Sequence, residues 1–496
     1  MTRQDTLFQQ IMRARNRVYQ LCAPSPQESY PLPSGGKLLL KREDLSPIHA
    51  YKWRGAYNMM AAQPENILRD GVITASAGNH ALGVALAAAR LGCHADIYMP
   101  KTVARSRIEE IEKMGKGNVR IIIAGDSYDQ SASAARKTAE EEGILYVPAH
   151  DDLLVMAGQG TIGDEIMQES VTPDVVFLQI GGGGLAAAVA CVIKSYSPDI
   201  HIIGVEGENQ ASMAAAFDAG DPVTLPYVDV FCDGTAVRRA GDLTFPLCVE
   251  GLDELMTVSN DDVCAAIQRL WDMTRSMPEP AGAMGMAGFM KREAEFAGKN
   301  VAVIVTGANM DFSRLAWIAR RAGVGASRRY FEIELAERSG TMLELLRDIA
   351  DLDLNIEDFI YGKVHESRAY PVFGFAGRKE HLAALEARLA EKGYGFKDVS
   401  DREDVTFRIV RCDPKLCSRL YLAVLDFPER PGALMEFMAG AVQWCSICYF
   451  NYANRGDMVG RALMGFEFAS DEARAAFMEY LNTCGCHYQP VDPNIL

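Results

Sequence analysis

Val72-Ile73-Thr74-Ala75-Ser76-Ala77-Gly78-Asn79-His80-Ala81 sets an apolar strand, a turn of small residues and the start of an alanine-rich helix end to end. A strand that enters a helix through so short a turn leaves free amide hydrogens at the positive end of the helix dipole, which suits a carboxylate. Asn79 adds a side chain that both donates and accepts. Taken alone, Ser76 and Asn79 could equally be plain helix caps. The alternation continues on both sides, with strand candidates at 37–40, 95–99, 120–124 and 145–147 and helical windows at 81–91 and 105–113. A second set of strands, 174–180, 202–205, 255–258 and 300–305, follows the same pattern. Strand, helix, strand at this spacing predicts parallel α/β layers, here two α/β subdomains with a cleft for a small ligand between them.

Three further stretches carry chemistry. In Ile48-His49-Ala50-Tyr51-Lys52-Trp53-Arg54-Gly55-Ala56, Lys52 stands between two aromatics at the start of an apolar helical run, shortly after Lys41-Arg42-Glu43-Asp44. Apolar neighbours strip hydration from an ammonium, lower its pKa and free the amine to attack a carbonyl. On this window alone a surface lysine is the plainer reading, so its company decides. Gly181-Gly182-Gly183-Gly184-Leu185 closes one strand and opens a helix of Ala, Val and Ile. Four glycines let backbone wrap an anion, and so abrupt a joint between apolar elements argues for a phosphate cradle over a flexible linker. No Lys-Ser or Lys-Thr follows and no spaced G-x-G-x-x-G is present, so it is neither a Walker loop nor a dinucleotide fingerprint. Thr306-Gly307-Ala308-Asn309 puts a hydroxyl at a strand end, which alone would be an ordinary turn. A desolvated lysine, an Asn-bearing turn, a glycine cradle and that hydroxyl together describe a site for pyridoxal phosphate.

At 496 residues the chain suits about three domains. Its 50 basic against 66 acidic side chains give −16, which argues against nucleic acid or an anionic membrane as partner. Leu7, Ile11 and Val18 mark an amphipathic first helix with no secretory core, and the apolar run 181–193 is too short to span a bilayer. A cytoplasmic protein is expected. The twelve cysteines form no framework and read as reduced, mostly buried thiols. Cys445-Ser446-Ile447-Cys448 and Cys484-Gly485-Cys486 could supply four thiolates to zinc, but Cys445 and Cys448 fall where a helix end runs into a strand, so no metal is expected.

Lys41-Arg42-Glu43-Asp44, Lys52-Trp53-Arg54-Gly55-Ala56, the stretch 74–80, Ala157-Gly158-Gln159-Gly160-Thr161, the glycine tetrad, Asp233-Gly234, Glu279-Pro280-Ala281-Gly282-Ala283 and Thr306-Gly307-Ala308-Asn309 follow one another in order. In that order they resemble the fold-type II pyridoxal-phosphate lyases, specifically the biosynthetic threonine dehydratases (threonine ammonia-lyases). The resemblance implies a tryptophan synthase β-like catalytic domain over 1–325, with a small subdomain at about 46–153. It implies that Lys52 forms the Schiff base, Asn79 holds the cofactor's ring hydroxyl, the Gly181, Gly182, Gly183, Gly184 and Leu185 loop its phosphate, and Thr306 its ring nitrogen. Ser76 and the amides of Ala77, Gly78, Asn79 and His80 would grip the substrate carboxylate. The family more often has Ser in place of Thr306 and Phe in place of Tyr51. Thr306 keeps the hydroxyl, whereas Tyr51 adds a polar tip beside the Schiff base. A hydroxyl at the ring nitrogen, unlike a carboxylate, would not keep it protonated, which favours prompt loss of the β-hydroxyl over transamination. L-threonine would give 2-oxobutanoate and ammonia, with the cofactor phosphate as candidate proton donor to the leaving hydroxide and His80 as a cap or packing residue.

Past Gly323-Val324-Gly325-Ala326-Ser327 the chain repeats itself. Glu337-Arg338-Ser339-Gly340 recurs as Glu429-Arg430-Pro431-Gly432, an offset of 429 − 337 = 92, and Ile356, Phe359 and Tyr361 recur as Ile447, Phe450 and Tyr452, 447 − 356 = 91. Phe373-Gly374-Phe375 returns as Met464-Gly465-Phe466. A near-constant offset marks a duplicated module. The first copy reads strand 330–335, helix 341–350, strands 355–361 and 370–375, helix 380–391 and a short strand near Phe396. This order predicts an antiparallel sheet with two helices on one face. The copies, 326–403 and 415–496 with a linker at about 404–414, resemble the ACT-like modules of long threonine dehydratases. That resemblance implies a homo-oligomer, a tetramer, inhibited by isoleucine with valine opposing, at the first committed step of isoleucine synthesis; Gly340 or Gly432 would admit the effector. Two alternatives stand beside it. A serine dehydratase, serine racemase or threonine synthase is opposed by the paired modules, and a non-catalytic amino-acid sensor by the intact Lys52, Asn79 and glycine tetrad.

Overall fold

The computed structural model describes residues 2–322 continuously, and beyond them 327–336, 341–352, 354–360, 367–377, 379–400, 402, 405, 417, 419–428, 437, 440–441, 443–453, 459–484, 486–492 and 495. The chain divides into two compact units, Met1–Ala322 and Gly323–Leu496.

The first unit contains β1 (Gln27–Pro31), β2 (Lys37–Arg42), β3 (Val72–Ala75), β4 (Ala95–Met99), β5 (Val119–Ile123), β6 (Leu145–Tyr146), β7 (Val175–Gln179), β8 (His201–Gly207), β9 (Glu254–Val258) and β10 (Asn300–Val305). They form a six-stranded sheet in the order β1-β2-β10-β7-β8-β9 and a four-stranded sheet in the order β5-β4-β3-β6. Every pairing is parallel except β1 with β2. β1 is the strand the sequence hides: Gln27-Glu28-Ser29-Tyr30-Pro31 lacks apolar alternation and ends in proline, a composition an edge strand tolerates.

Both faces of the large sheet are covered. Val176, Leu178, Ala302 and Ile304 enter one apolar cluster, while Val175, Phe177, Val301, Val303 and Val305 enter the other. Burial on both sides is why these strands read as continuous apolar runs, each Val or Ile contributing about 1.5–3 kcal/mol. The small sheet is built alike, with Val72, Ala95 and Ile97 on one side and Ile73, Ala75 and Tyr98 on the other.

Strand order fixes where a ligand fits. From β7 the chain winds outward through β8 and β9, then returns to place β10 on the opposite side of β7. In the small sheet β3 is the turning point between β4 and β6. Parallel sheets open a crevice at the carboxyl ends of strands where the winding reverses. The glycine tetrad, Thr306 and the 76–79 turn follow β7, β10 and β3 respectively.

The second unit holds β11 (Ser327–Ala336), β12 (Asn355–Ile360), β13 (Arg368–Ala369), β14 (Val372–Gly377), β15 (Gly395–Asp398), β16 (Tyr421–Pro428), β17 (Ser446–Ala453), β18 (Val459–Glu467) and β19 (His487–Val491). Two antiparallel sheets result: β12-β14-β11-β13, with β15 also on β11, and β17-β18-β16-β19. A register shift lies between Ile356 and Asp358 in one and between Ile447 and Tyr449 in the other, at equal offsets of 447 − 356 = 91 and 449 − 358 = 91. Leu345 from the helix Thr341–Asp348, Ile349 just beyond its end, and Leu382, Leu385 and Leu389 from the helix Lys379–Glu391 join Phe331, Ile333 and Phe375 in one core, so both helices cover one face. The strand expected over 370–375 starts only at Val372 as β14, and the two-residue β13 precedes it across Tyr370 and Pro371, which has no N–H to give a ladder. The turns 337–340 and 429–432 with Gly340 and Gly432, Tyr361, and all of 404–414 but Val405 lie outside the described residues. Among the described residues no helix is long and apolar enough to cross a membrane, and no group of three or more His, Cys, Asp or Glu is placed to hold a metal.

Candidate active site

Lys52 is the residue immediately before the helix Trp53–Ala61. That helix is pinned from three sides. On Gly158 of the helix Leu153–Gln168 a Cβ would lie 2.3 Å from the Arg54 carbonyl oxygen, and on Gly83 one would lie 3.0 Å from Trp53 Cα. Only glycine permits the first approach, and the second leaves almost no room for a side chain. The third anchor is ionic. Arg54 donates to Glu43 at 2.8 and 2.9 Å, to Glu165 at 2.5 and 3.0 Å and to Thr161 at 2.9 Å, while Lys41 pairs with Glu165 at 2.7 Å. The Lys41-Arg42-Glu43-Asp44 run therefore braces the Lys52 segment instead of reaching the ligand. The chain before Lys52 is held to the strand end beyond β10: Tyr51 N donates to Thr306 O at 3.0 Å, Ala308 N to His49 O at 2.9 Å and Asn309 Nδ2 to Ile48 O at 2.7 Å.

Lys52, Asn79, Gly181, Gly182, Gly183, Gly184, Leu185 and Thr306 line one cavity. Burial holds the Lys52 ammonium below its ordinary pKa, opposed by the Glu279 and Asp233 carboxylates. Among the described residues its Nζ has no hydrogen bond or ion pair. The glycine loop is walled in: a Cβ on Gly181 would lie 2.9 Å from Thr235 Cα, on Gly182 2.2 Å from the His150 ring, and on Gly184 2.8 Å from His150 O. Gly183, at φ 92°, is the N-cap of the helix Gly184–Tyr196, whose first amides have no helical partner.

Asn79 does not cap its helix, which starts from Gly78 without a side-chain cap. Its Nδ2 donates to Glu279 Oε1 at 2.7 Å and its Oδ1 accepts from Asn309 Nδ2 at 2.8 Å. Of the five residues Ser76 to His80 only Asn79 lines the cavity. Ser76, Ala77 and Gly78 form the adjoining turn, with Ser76 Oγ accepting from Gly78 N at 3.2 Å. His80 is a packing residue: buried, with Nε2 3.0 Å from Val147 O, and pushed down to about 3 mainly by that burial, so it is neutral.

Gln179, Glu279 and His150 are cavity residues to which sequence reading assigned no role. Gln179 donates from Nε2 to the Thr306 hydroxyl, and its own Oε1 is buried without a partner. A lone polar residue closing the apolar strand Val175-Val176-Phe177-Leu178-Gln179 was the available signal. Glu279, the N-cap ahead of Pro280, is pushed up to about 7 first by burial and then by Asp233, and its Oε2 accepts from Asn309 N at 3.1 Å. A Cβ on Gly307 would lie 2.6 Å from its Oε1. It stood inside a recognised motif, but its partner Asn79 is 200 positions away. His150 gave no local signal. Tyr51 also lines the cavity, its phenol held above the usual range by burial and by Glu279.

These residues fit pyridoxal phosphate: a desolvated amine, a loop in which no side chain has room, and a hydroxyl whose oxygen already accepts from Gln179. Comparison with known proteins agrees. Residues 21–307 match the family described as "Pyridoxal-phosphate dependent enzyme", and residues 411–496 match the "C-terminal regulatory domain of Threonine dehydratase". The L-threonine dehydratase biosynthetic IlvA of Escherichia coli (strain K12) is 38% identical over 475 residues, covering 92% of this chain and 89% of that protein. Threonine dehydratase, mitochondrial, of Schizosaccharomyces pombe is 35% identical over 87% of this chain and 73% of its own length. Among solved structures, the processed form of threonine deaminase isoform 2 from Solanum lycopersicum superposes with TM-score 0.62 at 39% identity, covering 64% of this chain and 89% of that one. Maize serine racemase does so with TM-score 0.58 at 28% identity, covering 63% and 96%. The chain thus belongs to the pyridoxal-phosphate dependent lyases and, within them, to the biosynthetic threonine dehydratases with a C-terminal regulatory domain.

Proposed function

We propose that the enzyme converts L-threonine to 2-oxobutanoate and ammonia as the first committed step of isoleucine synthesis, under feedback inhibition by isoleucine. The observation that carries this reading is the convergence of Lys52, the Gly181–Gly184 loop and Thr306 on one cavity. When bound, pyridoxal phosphate supplies the electron sink that acidifies the substrate's Cα–H and lets the β-hydroxyl leave. Lys52 would hold the cofactor and, as a free amine, would take the substrate's Cα proton on Nζ, whose charged form desolvation disfavours. Gln179 donates to Thr306 Oγ1, which leaves the Thr306 O–H to donate to the ring nitrogen without protonating it. Glu279 takes one N–H of Asn79, leaving the second for the ring hydroxyl. The glycine-loop amides and Leu185 receive the phosphate, and Ser76 with the amides of Ala77 to His80 receives the substrate carboxylate.

In this reading the catalytic domain spans 1–325, and 326–403 and 415–496 are two ACT-like modules that bind isoleucine, with valine opposing, in a cytoplasmic homotetramer. The equal strand order and equally placed register shifts of the two sheets support a duplicated module. An effector acts only through unequal affinity for two arrangements of the enzyme. Steady-state assays of 2-oxobutanoate from L-threonine and of pyruvate and D-serine from L-serine, each with isoleucine and valine, test it. Threonine as preferred substrate and inhibition by isoleucine are expected; dominant serine turnover, or no turnover at all, would overturn it.

A further inference from the structure

Among the described residues His150 is the one imidazole that lines the cavity. It precedes the helix Leu153–Gln168 and straddles the glycine loop. The Cδ2–Nε2 edge of its ring lies 2.2 and 2.3 Å from where a Cβ on Gly182 would stand, and its main chain abuts Gly184. Among the described residues nothing hydrogen-bonds either ring nitrogen. Packing alone would be met by any flat apolar ring, so an imidazole with unengaged nitrogens against an anion cradle asks for another reason.

We propose that His150 is the protonatable wall of the phosphate cradle: it donates a ring N–H to the cofactor's phosphate monoester, and binding of that phosphate draws a proton onto the imidazole. The proposal rests on reading the Gly181–Gly184 loop as the phosphate site. The charged and titratable groups that face His150 are Lys52, Arg136, His80 and Asp151. The Asp151 carboxylate is already committed to the amides of Asp242, Leu243 and Thr244 at 3.0, 2.9 and 3.1 Å. Without phosphate, burial first and the Lys52 ammonium second push His150 down to about 4, so it is neutral at neutral pH. An anion about 4 Å away in a partly buried site raises proton affinity about a thousandfold per unit charge, roughly three pH units. That is enough to bring the imidazole to half protonation near pH 7. It would also place an exchangeable proton next to the phosphate, where the leaving β-hydroxyl needs one.

The test uses the full chain stripped of cofactor and titrated calorimetrically near pH 7 in buffers of different ionisation enthalpy. The probes are pyridoxal phosphate and pyridoxal, the latter lacking the phosphate. Wild type should prefer pyridoxal phosphate and take up on the order of half a proton more with it than with pyridoxal. His150→Phe, which keeps a flat ring, should abolish that extra uptake and weaken pyridoxal phosphate about 10- to 100-fold, leaving pyridoxal within about twofold. His150→Gln retains a donor but no titrating proton, so it should recover affinity without uptake, and it serves equally should the Phe variant fail to fold. Uptake that persists in either variant, with phosphate preference intact, overturns the proposal alone. A wild type that binds both probes equally overturns the phosphate-cradle reading and this proposal with it.

Discussion

Lys52 and Arg54 are two residues apart, both on apolar ground, and their cations meet opposite fates. Arg54 is matched by Glu43 and Glu165, with Lys41 completing two positive and two negative charges, all within 3.0 Å contacts. Lys52 makes no hydrogen bond or ion pair among the described residues; Glu279 and Asp233 oppose its desolvation without outweighing it, and Glu279 is itself pushed up to about 7. A buried charge with full partners is scaffolding; one left short of partners is poised to gain or lose a proton. The same short segment thus supplies a rigid brace and a reactive amine.

The sharpest way to break this contrast is to remove each cation in turn. Lys52→Ala should lower threonine turnover at least ~10³-fold and abolish the visible absorbance of bound cofactor, while the cofactor-free protein keeps its stability in urea. Arg54→Met should do the reverse first, costing about 3–5 kcal/mol in urea unfolding because Glu43 loses the cation it pairs with and Glu165 keeps Lys41 alone. If Arg54→Met unfolds no earlier than wild type, the brace is not structural. Gly182→Ala sets a methyl against the His150 ring, and a loss of about 1–3 kcal/mol with weaker cofactor binding is expected by thermal unfolding and titration.

Smaller effects separate Glu279 from the paired acids. With its pKa raised from an ordinary 4.5 to about 7, native Glu279 holds a proton that the unfolded chain has released. Its contribution to stability is therefore fully present below about pH 4.5 and is lost as pH rises through about 7, at up to about 1.4 kcal/mol per pH unit. Glu279→Gln should flatten that slope in urea titrations of the cofactor-free protein across pH 4.5 to 7; an unchanged slope would show that Glu279 is not the titrating group. Smallest of all, Thr306→Ser keeps the hydroxyl that Gln179 engages and should leave turnover within a few-fold, whereas Thr306→Ala should not.

Much of this was legible because the strands and their loops are local. β3, β4 and β10 lie where their apolar runs begin and end, Thr306 follows directly on β10 and the glycine tetrad follows β7 after Ile180. The repeat was legible because its offset survives in the paired register, Ile356 opposite Phe375 and Ile447 opposite Phe466. What stayed hidden is long-range. Glu279 reaches Asn79 across 200 positions, and Gln179 reaches Thr306 across 127, so no window contains either pair. The charged run before Lys52 marked the right segment, and what no window showed is that its acids are committed to Arg42 and Arg54. The edge strand β1 was missed because its pairing with β2 follows from topology and its residues show no pattern of their own.

The most direct test is borohydride reduction of the enzyme incubated with pyridoxal phosphate, followed by peptide mass spectrometry. Label confined to the peptide carrying Lys52 is the predicted result. Label on Lys41 or any other lysine, or none at all, would contradict the claim that Lys52, whose Nζ makes no hydrogen bond or ion pair among the described residues, is the amine that carries the cofactor.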